Sequence, residues 1–490
     1  MEKDHGIYQE PLVGRYTEQD MQILFSDDFK FQTWRKCWTA LAEAEMELGI
    51  KRITPQMIGE LIAYQKTIDY EVAAREEGRR RHDVMAHVYE YGTHCPTAAG
   101  IIHLGATSML VDDNTVLIQQ REAMNLVKRG LVNVIHNMAG IAEETKGLAC
   151  LAYTHLQPAQ PTTMGKRFTL YIQDLLYDLD CVEAIKFKAL GAKGTTGTQE
   201  SFLKLFDGDR EKAEALDKLF SKKLGFEEVW PVTGQTYPRK FDVKVAETLA
   251  GIGQSLYKFA GDMRILSHDK CVDEPFEKEQ IGSSAMAYKR NPMRLERLNG
   301  LARKLMGLPA NFYNTASSQY FERTLDDSAI RRMDIPQEFL LADAILILAN
   351  NITDRNVDPD KGNPLTFYPQ VIRRLLEDEL QFLATEEILM DLVKQGNDRQ
   401  QMHEIIRRHS VAASKAMKEE GLPNTLFKRL EDDPEFPMDK SLWKYIADAS
   451  RFTGNAQNQT EEDLRKVVKL RLAQKRYSGL IGRLEGKVSV

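Results

Sequence analysis

An all-α protein built on a bundle of long helices is the fold this sequence predicts, on three observations. Apolar residues recur at steps of three and four near 108–146, 161–190, 241–268, 292–317 and 335–353, giving helices longer than the globular average. Alternation of the kind a half-buried strand needs is scarce, and no strand, glycine-rich turn and helix follow one another. Beyond residue 358 the pattern breaks into shorter helices at Pro359, Pro364, Pro369, Pro423, Pro434 and Pro437. A chain of 490 residues holds roughly three domain-sized units. The pattern divides them as an N-terminal helical unit at 1–107, a central long-helix bundle at 108–358 and a C-terminal helical unit at 359–490.

Composition narrows the function class. Hydrophobic residues at 42% suffice for a large core, and a net charge of −6 argues against nucleic acid as the main partner. The 66 lysines and arginines can still gather around an anionic ligand. Five cysteines, an odd number with no Cys-x-x-Cys pair, point to reduced thiols and away from disulfides or a zinc site. The start of the chain lacks the apolar core of a signal peptide, and no uninterrupted apolar run would span a bilayer. The expectation is a soluble, cytoplasmic protein with no membrane contact.

In the first unit an irregular arm carries Arg15 and Tyr16, which read as a solvated arginine beside a packing aromatic. Phe31, Trp34, Trp38, Leu41 and Ala42 then mark an amphipathic helix. Arg81-His82-Asp83 follows at a helix start. His82 and His87 are five apart and share no helix face, so a paired-histidine metal site is disfavoured. The triplet suits anion or carboxylate handling and, nearly as well, a solvated charge cluster.

The second unit opens on Gly105-Ala106-Thr107-Ser108, whose Thr107 and Ser108 are good N-caps for the helix running to about 146. Val116, Leu126, Leu131, Val134, Ile135, Met138 and Ile141 give that helix an apolar stripe. Such stripes cannot be buried by one helix, so they predict association within and between chains. Tyr153-Thr154-His155-Leu156-Gln157 places a histidine and an amide in a proline-bounded turn before the next long helix. Gly191 to Gly197 is glycine-rich but matches neither a phosphate loop nor a dinucleotide motif, and reads as a connecting loop that could touch a ligand. Gly282-Ser283-Ser284, then Lys289, then Asn291-Pro292 before a helix forms a loop suited to developing negative charge. Arg323, Ser328 and Arg332 could grip a phosphate, and read alternatively as a charged turn. In the third unit the basic run from Arg465 to Arg476 reads as a solvated helix face.

Three of these stretches carry a resemblance. Residues 282–291 resemble the signature loop of the fumarase/aspartase superfamily, Gly-Ser-Ser-x-Met-Pro-x-Lys-x-Asn, with Ala287 where that pattern has proline. Thr154 to Gln160 and Gly105 to Ser108 resemble its two other signature regions, in the same order. Arg81-His82-Asp83, Thr233 to Tyr237, Arg297 and the segment from Arg323 to Arg332 resemble the adenylosuccinate lyase branch.

The resemblance implies a three-domain fold whose central bundle forms the core of a homotetramer, with each active site shared among subunits. It implies β-elimination of fumarate from two purine-pathway nucleotides, with no metal and no organic cofactor. It assigns Ser283 as general base, supported by Lys289, and His155 as general acid, oriented by Glu296. His82 is a second candidate for the acid. Substrate contacts follow at Arg15, Tyr16, Arg81, His82, Asp83, Thr107, Ser108, Thr154, Gln235, Lys289, Asn291, Arg297, Arg323, Ser328 and Arg332. A serine is a poor base unless a dry site aims donors at its oxygen. An imidazole suits proton donation near neutral pH. Other lyases of the superfamily, acting on argininosuccinate, malate or aspartate, have no phosphate to hold. A scaffold that has lost catalysis would not need Ser283, His155, Lys289 and Glu296 together.

Overall fold

The computed structural model describes residues 6–437, 440–446 and 448–482. The N-terminal part comprises α1 (Pro11–Arg15), α2 (Gln19–Leu24), α3 (Asp27–Glu47), α4 (Pro55–Ala63), α5 (Tyr70–Arg80) and α6 (Asp83–His94). A 38-residue helix, α7 (Ser108–Thr145), leads into the antiparallel hairpin β1 (Ala149–Thr154) and β2 (Gln157–Thr163). Then come α8 (Met164–Ala184), α9 (Glu200–Leu205), α10 (Arg210–Lys223) and α11 (Lys240–His268). The short strands β3 (Val272–Asp273) and β4 (Phe276–Glu277) precede α12 (Met293–Gly307), α13 (Pro309–Ser317) and α14 (Asp327–Thr353). Beyond them β5 (Gly362–Asn363) pairs with β4, and β6 (Thr366–Phe367) with β3. Six helices complete the described chain: α15 (Pro369–Leu383), α16 (Thr385–Lys394), α17 (Arg399–Glu420), α18 (Leu426–Glu431), α19 (Ala456–Asp463) and α20 (Lys469–Leu472).

The all-α reading holds, with local corrections. Residues 161–163, expected in a helix, belong to β2. The segment 292–317 is two helices, because Pro309 has no N–H to continue the ladder and instead starts α13. α14 begins at Asp327 and runs through Pro336. Proline costs it one backbone hydrogen bond, and packing against α7, α11 and α12 overrides that local cost. By length and composition α14 could cross a membrane, but 78% of its apolar window is buried in this bundle. The glycine-rich 191–197 connector is structural: Gly191 lies against Asp217, whose carboxylate takes the Ala192 N–H at 2.8 Å and Lys193 at 2.5 Å. The basic run of the last helices is not simply solvated, since Arg471 and Arg476 both bond Glu183 of α8 at 2.9 Å.

The running direction of the helices decides where function can sit. Arg239, just before α11, and Arg331, near the start of α14, both bind Asp113 near the start of α7. Arg355, just after α14, binds Glu144 at the end of α7 at 2.8 Å and the Leu365 carbonyl at 2.6 Å. Hence α7, α11 and α14 run in parallel from a near end to a far end, and α8 and α12–α13 return between them. One apolar core fills this bundle, a second joins α3, α4 and α6 to the start of α7 and to α9–α10, and a third lies within residues 384–445.

Candidate active site

A cavity of about 980 Å³ opens at the near end. Its lining includes Arg81, His82, Asp83, Ser108, Gln235, Arg323, Ser328 and Arg332, eight of the residues expected to meet substrate. Arg81 caps α5 in the left-handed region (φ 55°), a strained conformation that breaks the chain between α5 and α6. His82 is the N-cap of α6 and lies 3.4 Å from Ser108 Oγ through Nε2. Asp83 Oδ2 accepts from Arg332 at 3.0 Å. Burial alone would raise the Asp83 carboxyl, but the Val84 N–H, Arg332 and Lys30 outweigh it and hold the carboxyl below its ordinary value. Arg323 donates to Asp327 at 2.7 Å, and Gln235 Nε2 to the Thr195 carbonyl at 3.1 Å. Thr107 is the N-cap of α7 as expected, yet its hydroxyl makes no capping hydrogen bond.

Under the cavity floor lies a buried ionic network. Arg239 joins Asp113 (3.0 Å) to Asp327 (2.8 Å), and Arg331 joins Asp113 (3.3 Å), Asp242 (2.9 Å) and Tyr237. These side chains are buried, and each charge meets an opposite one, as burial requires. The adjacent arginines therefore divide their tasks: Arg331 is tied into the floor, whereas Arg332 is 60% exposed at its side chain.

The remaining expected residues stand elsewhere. His155 and Leu156 form the two-residue tip of the β1–β2 hairpin, with φ 54° and 58°. Left-handed conformations at both positions define a type I′ turn, which ordinarily selects glycine or asparagine. Two non-glycine residues there cost roughly 1–3 kcal/mol each. The hairpin base is fixed by Leu151 packing on Leu376 and Leu380 of α15, and its tip, with Thr154, is exposed.

Ser283, Lys289 and Asn291 belong to a loop closed at its neck. Asn291 Nδ2 donates to the Gly282 carbonyl at 2.9 Å. Ser283 Oγ accepts from the N–H of Met286 at 3.2 Å and of Ala285 at 3.4 Å, so backbone donors already face that oxygen. Lys289 is exposed. The buried Glu274 carboxylate anchors the loop's exit by accepting from Arg294 and Leu295 N–H at 3.0 Å, a cap for α12 that Pro292 cannot supply. Glu296 on α12 lies 3.7 Å from Arg264. Among the described residues no hydrogen bond or ion pair joins it to His155 of the same chain. Arg297 Nη1 is buried with no hydrogen-bond partner among the described residues. Arg15 is exposed at the end of α1, and Tyr16 packs on the bundle core.

Distance separates the two groups. From Ser108 to Thr145 the 38 residues of α7 span roughly 55 Å at about 1.5 Å per residue. The six residues of β1 reach back at most about 20 Å. The hairpin packs on α15, which follows the end of α14, so His155 stands at the far end of the bundle, away from the cavity of its own chain. The Ser283 loop follows α11 and sits at the same far end. Ile281, Tyr288 and Leu156, 77%, 85% and 70% exposed, surround these groups with uncovered apolar side chains.

Sequence reasoning missed Lys30 and Asp112, which also line the cavity. Asp112 lay within reach, one helical turn after Ser108 on a helix the pattern had located. Lys30 gave no signal, since only the packing of α3 against α7 brings it there. Among the described residues no cluster of three or more His, Cys, Asp or Glu is placed to hold a metal ion.

Known proteins resemble this chain along nearly its whole length. A family model described as lyase matches residues 25–307, and one described as adenylosuccinate lyase C-terminus matches residues 381–462. The adenylosuccinate lyase of Schizosaccharomyces pombe is 48% identical over 96% of this chain and 97% of its own. That of Saccharomyces cerevisiae is 47% identical, covering 95% of each. In fold the chain is similar to the 3-carboxy-cis,cis-muconate lactonizing enzyme of Pseudomonas putida, with a TM-score of 0.78 and 20% identity over 95% of this chain and 100% of that one. A fumarate lyase from Mesorhizobium sp. BNC1 gives a TM-score of 0.76 at 20% identity, covering 94% and 99%.

Proposed function

Because the chain belongs to the adenylosuccinate lyase family, a lyase branch of the fumarase/aspartase superfamily, we propose that it releases fumarate from adenylosuccinate, leaving AMP. On the same reading it releases fumarate from succinylaminoimidazole carboxamide ribotide, leaving aminoimidazole carboxamide ribotide, as a cytoplasmic enzyme of purine nucleotide biosynthesis. The observation that carries the reading is the near-end cavity. It has nucleotide dimensions and gathers Arg81, Arg323 and Arg332 with His82, Ser108 and Ser328. Guanidinium forks there suit a phosphate and the two succinyl carboxylates.

In the elimination a base removes a proton from the carbon beside a carboxylate. Charge gathers on that carboxylate, the C–N bond breaks, and the departing nitrogen takes a proton. Ser283 is the base, with the Met286 and Ala285 N–H groups and Lys289 stabilising its ionised oxygen once the loop closes over a dry site. His155 is the acid, and His82 is the alternative. Thr107, Ser108, Thr154, Asn291 and Arg297 hold the carboxylates, while Arg15, Tyr16, Arg323, Ser328 and Arg332 hold the phosphate.

His155 and Ser283 cannot reach the cavity of their own chain, so they meet the cavity of another. This requires an oligomer with active sites shared between chains, for which the family resemblance implies a homotetramer, with Glu296 orienting His155 across subunits. The exposed apolar residues around both groups are then covered in the assembly.

The test is fumarate release by the purified protein from adenylosuccinate, with argininosuccinate and malate alongside. Release from adenylosuccinate alone is expected, with Ser283→Ala and His155→Ala lowering kcat by about a thousandfold. Fumarate from argininosuccinate or malate, and none from adenylosuccinate, overturns the phosphate-site argument.

A further inference from the structure

The α7 face toward the cavity carries Ser108, Asp112, Val116 and Gln119, successive positions on one side of a helix. Two of its polar groups are engaged by protein: Ser108 Oγ is 3.4 Å from His82 Nε2, and Gln119 Nε2 donates to the Leu24 carbonyl at 2.7 Å. Asp112, between them, accepts no hydrogen bond and makes no ion pair among the described residues. Lys30 from α3, Asp83 from α6, Arg332 from α14 and the neighbouring Asp113 act on it electrostatically, and burial pushes its carboxyl up to about 6.

A carboxylate offers acceptors and, once ionised, no donor. Facing a cavity that suits phosphate and carboxylate, it repels those parts of the ligand and is left to meet a part that donates. A nucleotide presents two adjacent donors between phosphate and base, the ribose hydroxyls, whose spacing matches the two oxygens of one carboxyl group. Dinucleotide-binding folds use an acidic residue on the ribose in the same way. Asp112 stands one helical turn, about 6 Å, from Ser108 and beside Arg332. It can therefore face a sugar whose phosphate is held on α14. Lys30 offsets its charge toward that phosphate: its ammonium lies 5.0 Å from the Phe31 ring centroid and 4.9 Å from that of Trp34, with no carboxylate within 4.0 Å among the described residues.

Resting on the nucleotide reading above, we infer that Asp112 binds the ribose hydroxyls of the substrate and sets selectivity for ribo- over deoxyribonucleotides. The test compares AMP with its 2′-deoxy and 3′-deoxy analogues as competitive inhibitors of fumarate release, and as ligands in calorimetry, on wild type, Asp112→Ala and Asp112→Asn. Wild type is expected to bind AMP roughly tenfold or more tightly than at least one deoxy analogue, in line with a hydrogen bond to a charged group. Asp112→Ala removes that preference while binding the deoxy analogue as before. Asp112→Asn retains part of it through the amide oxygen, and supplies the answer should the alanine variant not fold. The inference is overturned if wild type does not distinguish the analogues, or if the preference survives in both variants. Failure of wild type to cleave adenylosuccinate strikes the nucleotide reading instead, and shows as such before any variant is compared.

Discussion

Replacing Gly282 by alanine should open the loop that carries Ser283. A Cβ built on Gly282 would stand 2.2 Å from the Lys289 carbonyl oxygen and 3.2 Å from Arg290 Cα, both backbone atoms. The oxygen must retreat by roughly 1 Å to reach ordinary contact, an overpacking cost of about 1–3 kcal/mol. That retreat also strains the Asn291 bond to the Gly282 carbonyl, 2.9 Å long, whose net worth is about 0.5–1.5 kcal/mol. Together they disfavour the closed neck by roughly 2–4 kcal/mol, some thirtyfold to several hundredfold in kcat/KM if catalysis needs it closed. Asn291→Ala, which loses that hydrogen bond and the amide's proposed contact with a substrate carboxylate, should cost about fivefold or more. The assay is initial-rate fumarate release, with thermal unfolding to check that the exposed loop leaves global stability within a few degrees of wild type. A Gly282→Ala variant within threefold of wild type would refute the reasoning.

The other predictions concern the same loop and the buried charges. Lys289 N–H bonds the Met286 carbonyl at 3.0 Å, which places Ala287 second in a turn, where proline's fixed φ fits; Ala287→Pro should order the loop by about 0.4–1 kcal/mol, read as slower proteolysis and unreduced turnover. Arg331→Leu strips a partner from Asp113, Asp242 and Tyr237 together and should cost about 3–5 kcal/mol in denaturant unfolding, with a shift under 1 kcal/mol contradicting the network's role. Glu45, buried with neither carboxyl oxygen hydrogen-bonded among the described residues, has its carboxyl pushed up by burial to about 9. The folded state thus holds that proton more tightly than the unfolded one, so this contribution is intact below about pH 4 and is lost as pH rises toward 9. Glu45→Gln removes the titration, so its stability relative to wild type should climb by roughly 3 kcal/mol between pH 5 and 7.5; parallel pH profiles would contradict it.

Legibility in the sequence followed the range of the forces involved. The long helices were readable because an apolar stripe is a local pattern, and His82 as a helix start was readable from its neighbours. The hairpin was half readable: the turn around His155 was, but not its strands, since β2 carries Pro158, Pro161 and polar residues with no clean alternation, and His155 and Leu156 are unusual occupants of a type I′ turn. Local preference fails there, at the residue proposed as the general acid. Arg331 and Arg332 are indistinguishable by type, and only the approach of α7 and α11 sends one into the floor and leaves the other at the cavity. The distance between His155 and the cavity was equally hidden, since motifs record order along the chain and not which copy of it meets which.

That separation is the account's central claim, and mixing two inactive variants tests it most directly. Arg332→Ala damages the near-end cavity, and His155→Ala damages the far end. Each homo-oligomer should be nearly inactive. Unfolded together and refolded as hybrids, they should regain fumarate release from adenylosuccinate, because some sites then draw an intact cavity from one chain and an intact histidine from another. Mixtures that form hybrids yet stay as inactive as either parent would mean that one chain supplies both groups, contradicting the account.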